Sequence, residues 1–559
     1  MNVSFSSMSA IEILDSRGRP TLRVRATLSD GRSVRSGVPS GASTGSREAL
    51  ELRDHDQNRY SGLGVQQAVA HVNGPIAEAV TGRPFASLEQ FDDTLRVLDG
   101  TVDKSRLGAN AMVGASMAAA QAFALESGQP LWRWLIPDGV IPRLPVPHFN
   151  VVNGGVHARN SLDFQEFMIA PIGAPSLPEA VRAGAEVYHR LRAVLAERGF
   201  ETGLGDEGGF APEIASPEEV LVLIVQAISD AGYVAGRDGV AIALDPASSE
   251  FHHDGRYVVG GESLSSEDMI DRYAQMIDKF PIWSIEDGLS ETDTAGWQNL
   301  TGMLGDRIQL VGDDNFVTSP ELIAGAVRAG VGNAALIKVN QVGTVSETLE
   351  ALRVCRDSGY AAMISHRSGE TDDTFIADLA VGSGCGQIKS GAPARGERVV
   401  KYNRLLEIAA AAPEHPFGLT RTSARTGGTD RDESTSRANE EVGVIERLPG
   451  SHDNVLGFRV SGDVTRESYE ILEPAVQMIV DVSGSVRLLL DMTDFRWEKV
   501  DAWGADLRFG KKYHHSIERM AFVGQHEWEK WLTRLAGPFY AQQARYFADV
   551  NQAWDWLDS

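Results

Sequence analysis

AALIKVNQVGTVSETLEALRVCRDSGYAAMISH, residues 334–366, decides how the middle of this chain folds. It opens on an apolar run that ends in Lys338, then places Val345, Leu349 and Leu352 on one helical face, and closes on a second apolar run that ends in His366. Two short apolar runs joined by helical spacing make a strand–helix–strand unit, the building block of a parallel sheet. The same grammar extends in both directions: PVPHFNVV (145–152), FQEFMIAPI (164–172), VAIALDPA (240–247), IWSIEDG (282–288), IQLVGDD (308–314), AALIKVN (334–340), AAMISHRSGE (361–370) and GQIKSG (386–391). Eight such runs between about 144 and 391 predict a closed (β/α)8 barrel. Only about a dozen residues separate the first run from the second, too few for a crossover helix, so the barrel is expected to start antiparallel.

Side chains at the C-terminal ends of barrel strands converge on one mouth. That rule gathers Glu166, Asp245, Glu286, Asp313, Lys338, His366 and Lys389 around a single cavity. A lone strand-end acid is most often a solvated group or a helix cap. Asp245, Glu286 and Asp313 on successive strands are harder to dismiss, and an all-oxygen set without cysteine suits a hard cation, Mg2+ first. Like charges this close raise one another's pKa, so a cation or a proton must compensate them. Lys338 and Lys389 are either ion-pair partners there, or one is a general base whose pKa, lowered by burial and nearby metal charge, leaves an amine able to take a proton α to a carboxylate.

On the N-terminal side, Leu22, Val24, Ala26 and Leu28 alternate before an Asp30-Gly31 turn and predict a hairpin, while 108–127 reads as a helix. This makes an α+β domain. On the C-terminal side, 411–441 is rich in Gly, Thr, Ser, Arg and mixed charge and is expected to be a flexible linker. Beyond it, VLGFRVSGDVT, VRLLLDMTDF and RMAFVG predict strands, with helical stretches near 467–480 and 528–535, giving a small α/β domain. The expected limits are 1–135, 136–410, 411–441 and 442–559, and the fold class is α/β overall. A chain of 559 residues with 42% hydrophobic and 23% charged residues is long enough for about three such units.

With 52 basic and 77 acidic side chains the formal charge is −25, which repels nucleic acid and anionic membrane surfaces. Cys355 and Cys385 are too few for a disulfide framework and are expected to be free thiols in a reducing compartment. Neither a signal-peptide pattern nor an apolar run of the roughly 18 residues a membrane helix needs is present, so the expected location is cytoplasmic.

VPSGASTGSREALELRD (38–54), NGGVHA (153–158), QEFMI (165–169), GDEGGFAP (205–212), SIEDG (284–288), VGDD (311–314), LIKVNQVGT (336–344), SHRSGETDD (365–373) and GQIKSGAPARGERVVKYNRLL (386–406), in this order over the first 410 or so residues, closely resemble enolase. The resemblance implies reversible dehydration of 2-phosphoglycerate to phosphoenolpyruvate. Lys338 would abstract the C2 proton and Glu207 would assist departure of the C3 hydroxyl as general acid. Asp245, Glu286 and Asp313 would hold the first of two Mg2+ ions, and Ser43 would help bind the second with the phosphate. Lys389 would face the substrate carboxylate, and Arg367 with Ser368 would bind phosphate. His157, Gln165, Glu166 and His366 would complete the site, and His366 is counted with the catalytic residues. A homodimer is also implied. Apart from the lysine alternative and the three-acid cation set, these roles follow from the resemblance and not from spacing.

The sequence departs from that family at Val156, at Pro246 and Ser249 after Asp245, and in SIEDGLSETDTAGW, which lacks the proline that usually follows Glu-Asp. None removes a proposed ligand. Residues 442–559 resemble, more loosely, the SpoIIAA-like group related to STAS domains, in VIERLPGSHDNVLGFRVSGDVTRESYE, RLLLDMTDFRWEK and RYFADVNQAWDWL. The phosphorylatable serine of anti-anti-sigma relatives has only Thr493 nearby. Trp497, Trp503 and Phe509 read as packing residues, and the tail reads as a binding or regulatory module of unassigned ligand. Two other functions were weighed: a weakly active scaffold that presents the tail as an interaction module, and a superfamily enzyme acting on another carboxylate. An intact Lys338, Glu207 and three-acid set opposes the first, and the SGASTG and SHRSGE phosphate motifs oppose the second.

Overall fold

The structure, a computed structural model, describes residues 2–41, 45–419, 444–464, 469–498, 509, 512–524 and 541–559. One compact unit takes in the described residues up to 419 apart from 278–280, and a second takes in those from 444 on. Expected linker residues 420–441 lie outside the described residues; before them, Leu144 pairs with Phe417.

Strands β1 (Val3–Leu14), β2 (Pro20–Leu28), β3 (Ser33–Gly37) and β4 (Pro84–Phe85) form an antiparallel sheet in the order β3-β2-β1-β4. The alternation in β2 is what the sheet needs, since Leu22, Val24, Ala26 and Leu28 all turn into the core. The turn closes where Gly31 takes φ +91°, a left-handed conformation open to glycine. Helix Ala109–Glu126 covers the sheet and is buried along nearly its whole length. Its small residues make that approach possible: a Cβ on Gly114 would lie 2.7 Å from Val24 and 2.9 Å from Val38.

The eight apolar runs become β5 (Val146–Asn153), β6 (Glu166–Ala170) and β7 (Ala241–Asp245), then β11 (Ile282–Glu286), β12 (Gln309–Gly312), β13 (Ala334–Ile337), β14 (Ala361–Ser365) and β15 (Gln387–Lys389). Between the two groups, β8 (His252–His253), β9 (Arg256–Val259) and β10 (Glu262–Leu264) make a small antiparallel sheet. The eight close into a barrel, and β6 runs antiparallel to both β5 and β7 while every other pair is parallel. Reversing β6 carries its first residue, Glu166, to the end of the barrel where the other strands finish. Outer helices start at side-chain caps with an acid three residues on: Ser176 accepts from Glu179 N, Ser216 from Glu219 N and Thr344 from Glu347 N. Cys355 and Cys385 are buried free thiols.

In the second unit, β16 (Val444–Arg447), β17 (Val455–Val464), β18 (Val486–Glu498), β19 (Ile517–Val523) and β20 (Gln543–Phe547) pair in chain order, with β16 antiparallel and the rest parallel. Strand alternation feeds two cores. Leu456, Phe458, Leu488 and Met520 pack in one cluster with Phe509, and Val455, Leu489, Ala521 and Val523 in the other with the helix Val550–Asp558. Thr493 donates to buried Asp491 at 2.6 Å. The side chain of Trp497, all of Trp503 and the expected helix at 528–535 lie outside the described residues. Among the described residues no helix is long and apolar enough to cross a membrane.

Candidate active site

Each strand end delivers its side chain to the mouth. Asp245, Glu286 and Lys389 are the last residues of β7, β11 and β15; Asp313, Lys338 and His366 directly follow β12, β13 and β14. Lys389 Nζ lies 2.8 Å from Glu286 Oε1, 3.0 Å from Asp245 Oδ2 and 3.2 Å from Glu166 Oε1, with all four side chains buried. Burial alone would pull this ammonium down, but Asp245, Glu166 and Glu286 outweigh it and hold Lys389 well above its usual range. Lys338 Nζ contacts Asp313 Oδ2. Burial again lowers, Asp313 raises, and Lys338 ends above its ordinary value, as the ion-pair alternative has it. The physical reason is the carboxylate in direct contact with the amine.

Glu286 and Glu166 are both pushed well above the carboxylate range, first by burial, then by the neighbouring acids, with Lys389 opposing. Glu286 Oε2 and Glu166 Oε2 are buried and have no hydrogen-bond partner among the described residues. Asp245, Glu286 and Asp313 supply oxygen only, which fits a hard divalent cation. Asp245 and Glu286 meet through Lys389, whereas Asp313 meets Lys338 and accepts from Gln341 Nε2 at 2.8 Å. The groups whose ligand atoms do gather within 4.8 Å of one another among the described residues are His157, Glu166 and Glu207, and Asp287, Asp313 and Asp314. Asp287 is a brace, accepting from the backbone N–H groups of Asp313 at 2.9 Å and Asp314 at 3.0 Å. Ser43 lies outside the described residues.

Sharing Glu166 Oε1 with Lys389, His157 stands between two carboxyls, its Nδ1 3.8 Å from Glu166 Oε1 and its Nε2 3.9 Å from Glu207 Oε1. Glu207 Oε2 accepts from Asn150 Nδ2 at 3.1 Å and faces His366 Nε2 at 3.3 Å. Burial lowers His157 and brings His366 down to about 4, so both rings are neutral near pH 7. At Glu207 the upward push of burial is opposed by His366, His157 and Arg398 and the carboxyl falls below its usual range, whereas Glu166 is driven up; the two acids titrate as a pair. Gln165 is buried with Oε1 unpartnered among the described residues.

Ser368 Oγ lies 3.2 Å from His157 Nε2. Arg367 is buried, with Nη1 2.9 Å from Glu48 Oε2, Nη2 3.2 Å from Glu48 Oε1, and Asn340 Oδ1 3.3 Å away. The segment before Glu48 is stapled to the mouth, since Ser40 and Gly369 exchange backbone bonds of 2.7 and 2.9 Å. A cavity of about 360 Å3 beside Arg367 is lined by Gly41, Gly45, Glu48, Glu51 and Asn340. The departures in the sequence have local partners: Asp245 Oδ1 accepts from Ala247 N at 3.0 Å, Ser249 Oγ accepts from Glu291 N at 3.0 Å, and Val156 is half exposed.

Sequence reasoning assembled the strand-end residues and missed Glu48, Asn150, Asp287 and Arg398. Glu48 and Arg398 stand inside quoted motifs, but neither ends a strand, and nothing in residue order pairs them with Arg367 and His366.

Three family models match the chain: "Enolase, N-terminal domain" over residues 5–135, "Enolase, C-terminal TIM barrel domain" over 142–416 and "SpoIIAA-like" over 455–558.

Proposed function

The chain belongs to the enolase family, and from that premise we propose that it is a phosphopyruvate hydratase, interconverting 2-phosphoglycerate with phosphoenolpyruvate and water. The observation that supports this reading most is the gathering at the strand ends of a buried lysine against a carboxylate, Lys338 with Asp313, and of a buried acid pair, Glu166 and Glu207, about His157. Asp245, Glu286 and Asp313 would hold one Mg2+, and Ser43 with the phosphate a second. Bound there, the metal would neutralise the substrate carboxylate and the three acids, so that a further negative charge on the substrate becomes tolerable and Lys338 loses the partner that keeps it protonated.

Lys338 Nζ then takes the C2 proton. Lys389, positively charged and fully buried, faces the substrate carboxylate and follows its growing charge. Glu207 gives the proton to the leaving C3 hydroxyl as general acid and is left as a carboxylate; Glu166, the raised member of the pair, returns a proton to it through His157, whose two nitrogens lie within 4 Å of the two carboxyls. Arg367 and Ser368 bind the phosphate, Arg367 as a permanently charged two-pronged donor. His366 orients Glu207, and Gln165 closes the wall. We take the domain limits as 1–135, 136–410 and 442–559, and the working protein as a cytoplasmic homodimer acting in glycolysis.

The test is ultraviolet detection of phosphoenolpyruvate from 2-phosphoglycerate with Mg2+ and with chelator. Magnesium-dependent turnover is expected, and Lys338→Ala is expected to lose at least about 10³-fold in kcat. A folded, metal-loaded chain without turnover would overturn the reading.

A further inference from the structure

We propose that Arg398 is a positioning residue that fixes His366 in its Nε2–H form and so aims that hydrogen at Glu207 Oε2. Arg398 sits in the first turn of the helix Gly396–Ala411 with its side chain fully buried. A guanidinium has only donors. Nη1 contacts His366 Nδ1 and donates to Arg367 O at 2.6 Å; Nη2 donates to Ser368 O and, at 3.3 Å, to Asp206 O. One side chain therefore holds the backbone that carries both expected phosphate ligands and ties it to the loop that carries Glu207.

The contact at Nδ1 decides the ring's hydrogen. A nitrogen facing a donor must offer its lone pair, and a neutral imidazole then carries its hydrogen on the other nitrogen. That nitrogen, Nε2, is buried and lies 3.3 Å from Glu207 Oε2 without a formed hydrogen bond among the described residues, while Glu207 Oε2 accepts from Asn150 Nδ2. Asn150 already commits Oε2 as an acceptor, and an Nε2–H turned toward the same oxygen adds to that commitment, so proton delivery falls to Oε1, the oxygen on the side of His157. The opposite tautomer would turn a nitrogen lone pair toward a carboxylate oxygen and move the proton to Oε2. The catalytic consequence rests on the enolase reading; the tautomer does not.

The test is magic-angle-spinning NMR of the full chain labelled with 15N-histidine, the His366 signals being those lost in His366→Gln. A protonated Nε2 and an unprotonated Nδ1 near pH 7 are expected; an Nδ1–H or charged ring would overturn the proposal. In Arg398→Lys a single ammonium cannot meet all four acceptors. A mixed tautomer is expected, with kcat down about tenfold to a hundredfold and KM within about threefold. A folded variant with the native tautomer and native kcat would overturn the proposal; if the variant does not fold, the native spectrum decides alone. The Nε2–H form in a chain that makes no phosphoenolpyruvate would support this placement while refuting the enolase reading.

Discussion

Replacing Glu48 by glutamine tests the most heavily buried charge pair between the N-terminal segment and the barrel mouth. Arg367 and Glu48 are 3% and 9% exposed and meet through two bonds, 2.9 and 3.2 Å long. Burial would lower the Arg367 pKa, and Glu48 reverses that. Removing one partner of such a pair strands a buried charge and costs about 3–5 kcal/mol. The retained amide oxygen still accepts one guanidinium hydrogen, returning about 1 kcal/mol and leaving a loss of about 2–4 kcal/mol. Calorimetry of Glu48→Gln across a series of inorganic phosphate concentrations is the assay. The variant is expected to melt lower without phosphate and to gain more from phosphate than the parent, because a dianion then meets a guanidinium relieved of its two-bond carboxylate contact. An unchanged melting temperature and an unchanged phosphate response would refute the reasoning.

Acid should act on the barrel through His148, which is fully buried, has Nε2 unpartnered among the described residues, and is pulled from 6.5 to about 4 by burial. Its contribution is fully present above pH 6.5 and is lost as pH falls toward 4, because the unfolded chain then binds the extra proton; the slope is about 1.4 kcal/mol per pH unit. Asp92 and Asp373, raised to about 6 by burial, act in the opposite direction between about 6 and their unfolded 3.8. The difference between parent and His148→Gln in denaturant unfolding against pH therefore isolates the histidine, and identical slopes would contradict the assignment. Gly369→Ala would place a Cβ 2.2 Å from Asp15 Oδ2 and 2.8 Å from Ser40 O. A loss of about 1–3 kcal/mol is expected from denaturant unfolding, together with a raised KM for the phosphorylated substrate; a native KM would show that this staple does not set the phosphate site.

Much of the molecule was legible in residue order. The eight barrel strands, the antiparallel entry of β6, the β2–β3 hairpin, and the acids and lysines at strand ends all follow from local periodicity and from where each apolar run stops, which are properties of neighbouring residues. In the second unit the same reading found β17, β18 and β19 but not β16 or β20, edge strands whose alternation is short and mixed with charge.

Tertiary structure alone decided which charges neutralise which. Arg367 and Glu48 are 319 positions apart, and Arg398 and His366 are 32 apart, on a helix and a loop that no periodicity joins. The sign of the Lys338 shift turned on the same thing. Sequence left Lys338 either an ion-pair partner or a base with a lowered pKa, and it is the placement of Asp313 against its Nζ that holds it above its ordinary value here. Periodicity reports what a residue's own element buries; the field at a side chain is a sum over every charge that folding brings near it, and that sum exists only once the chain has closed.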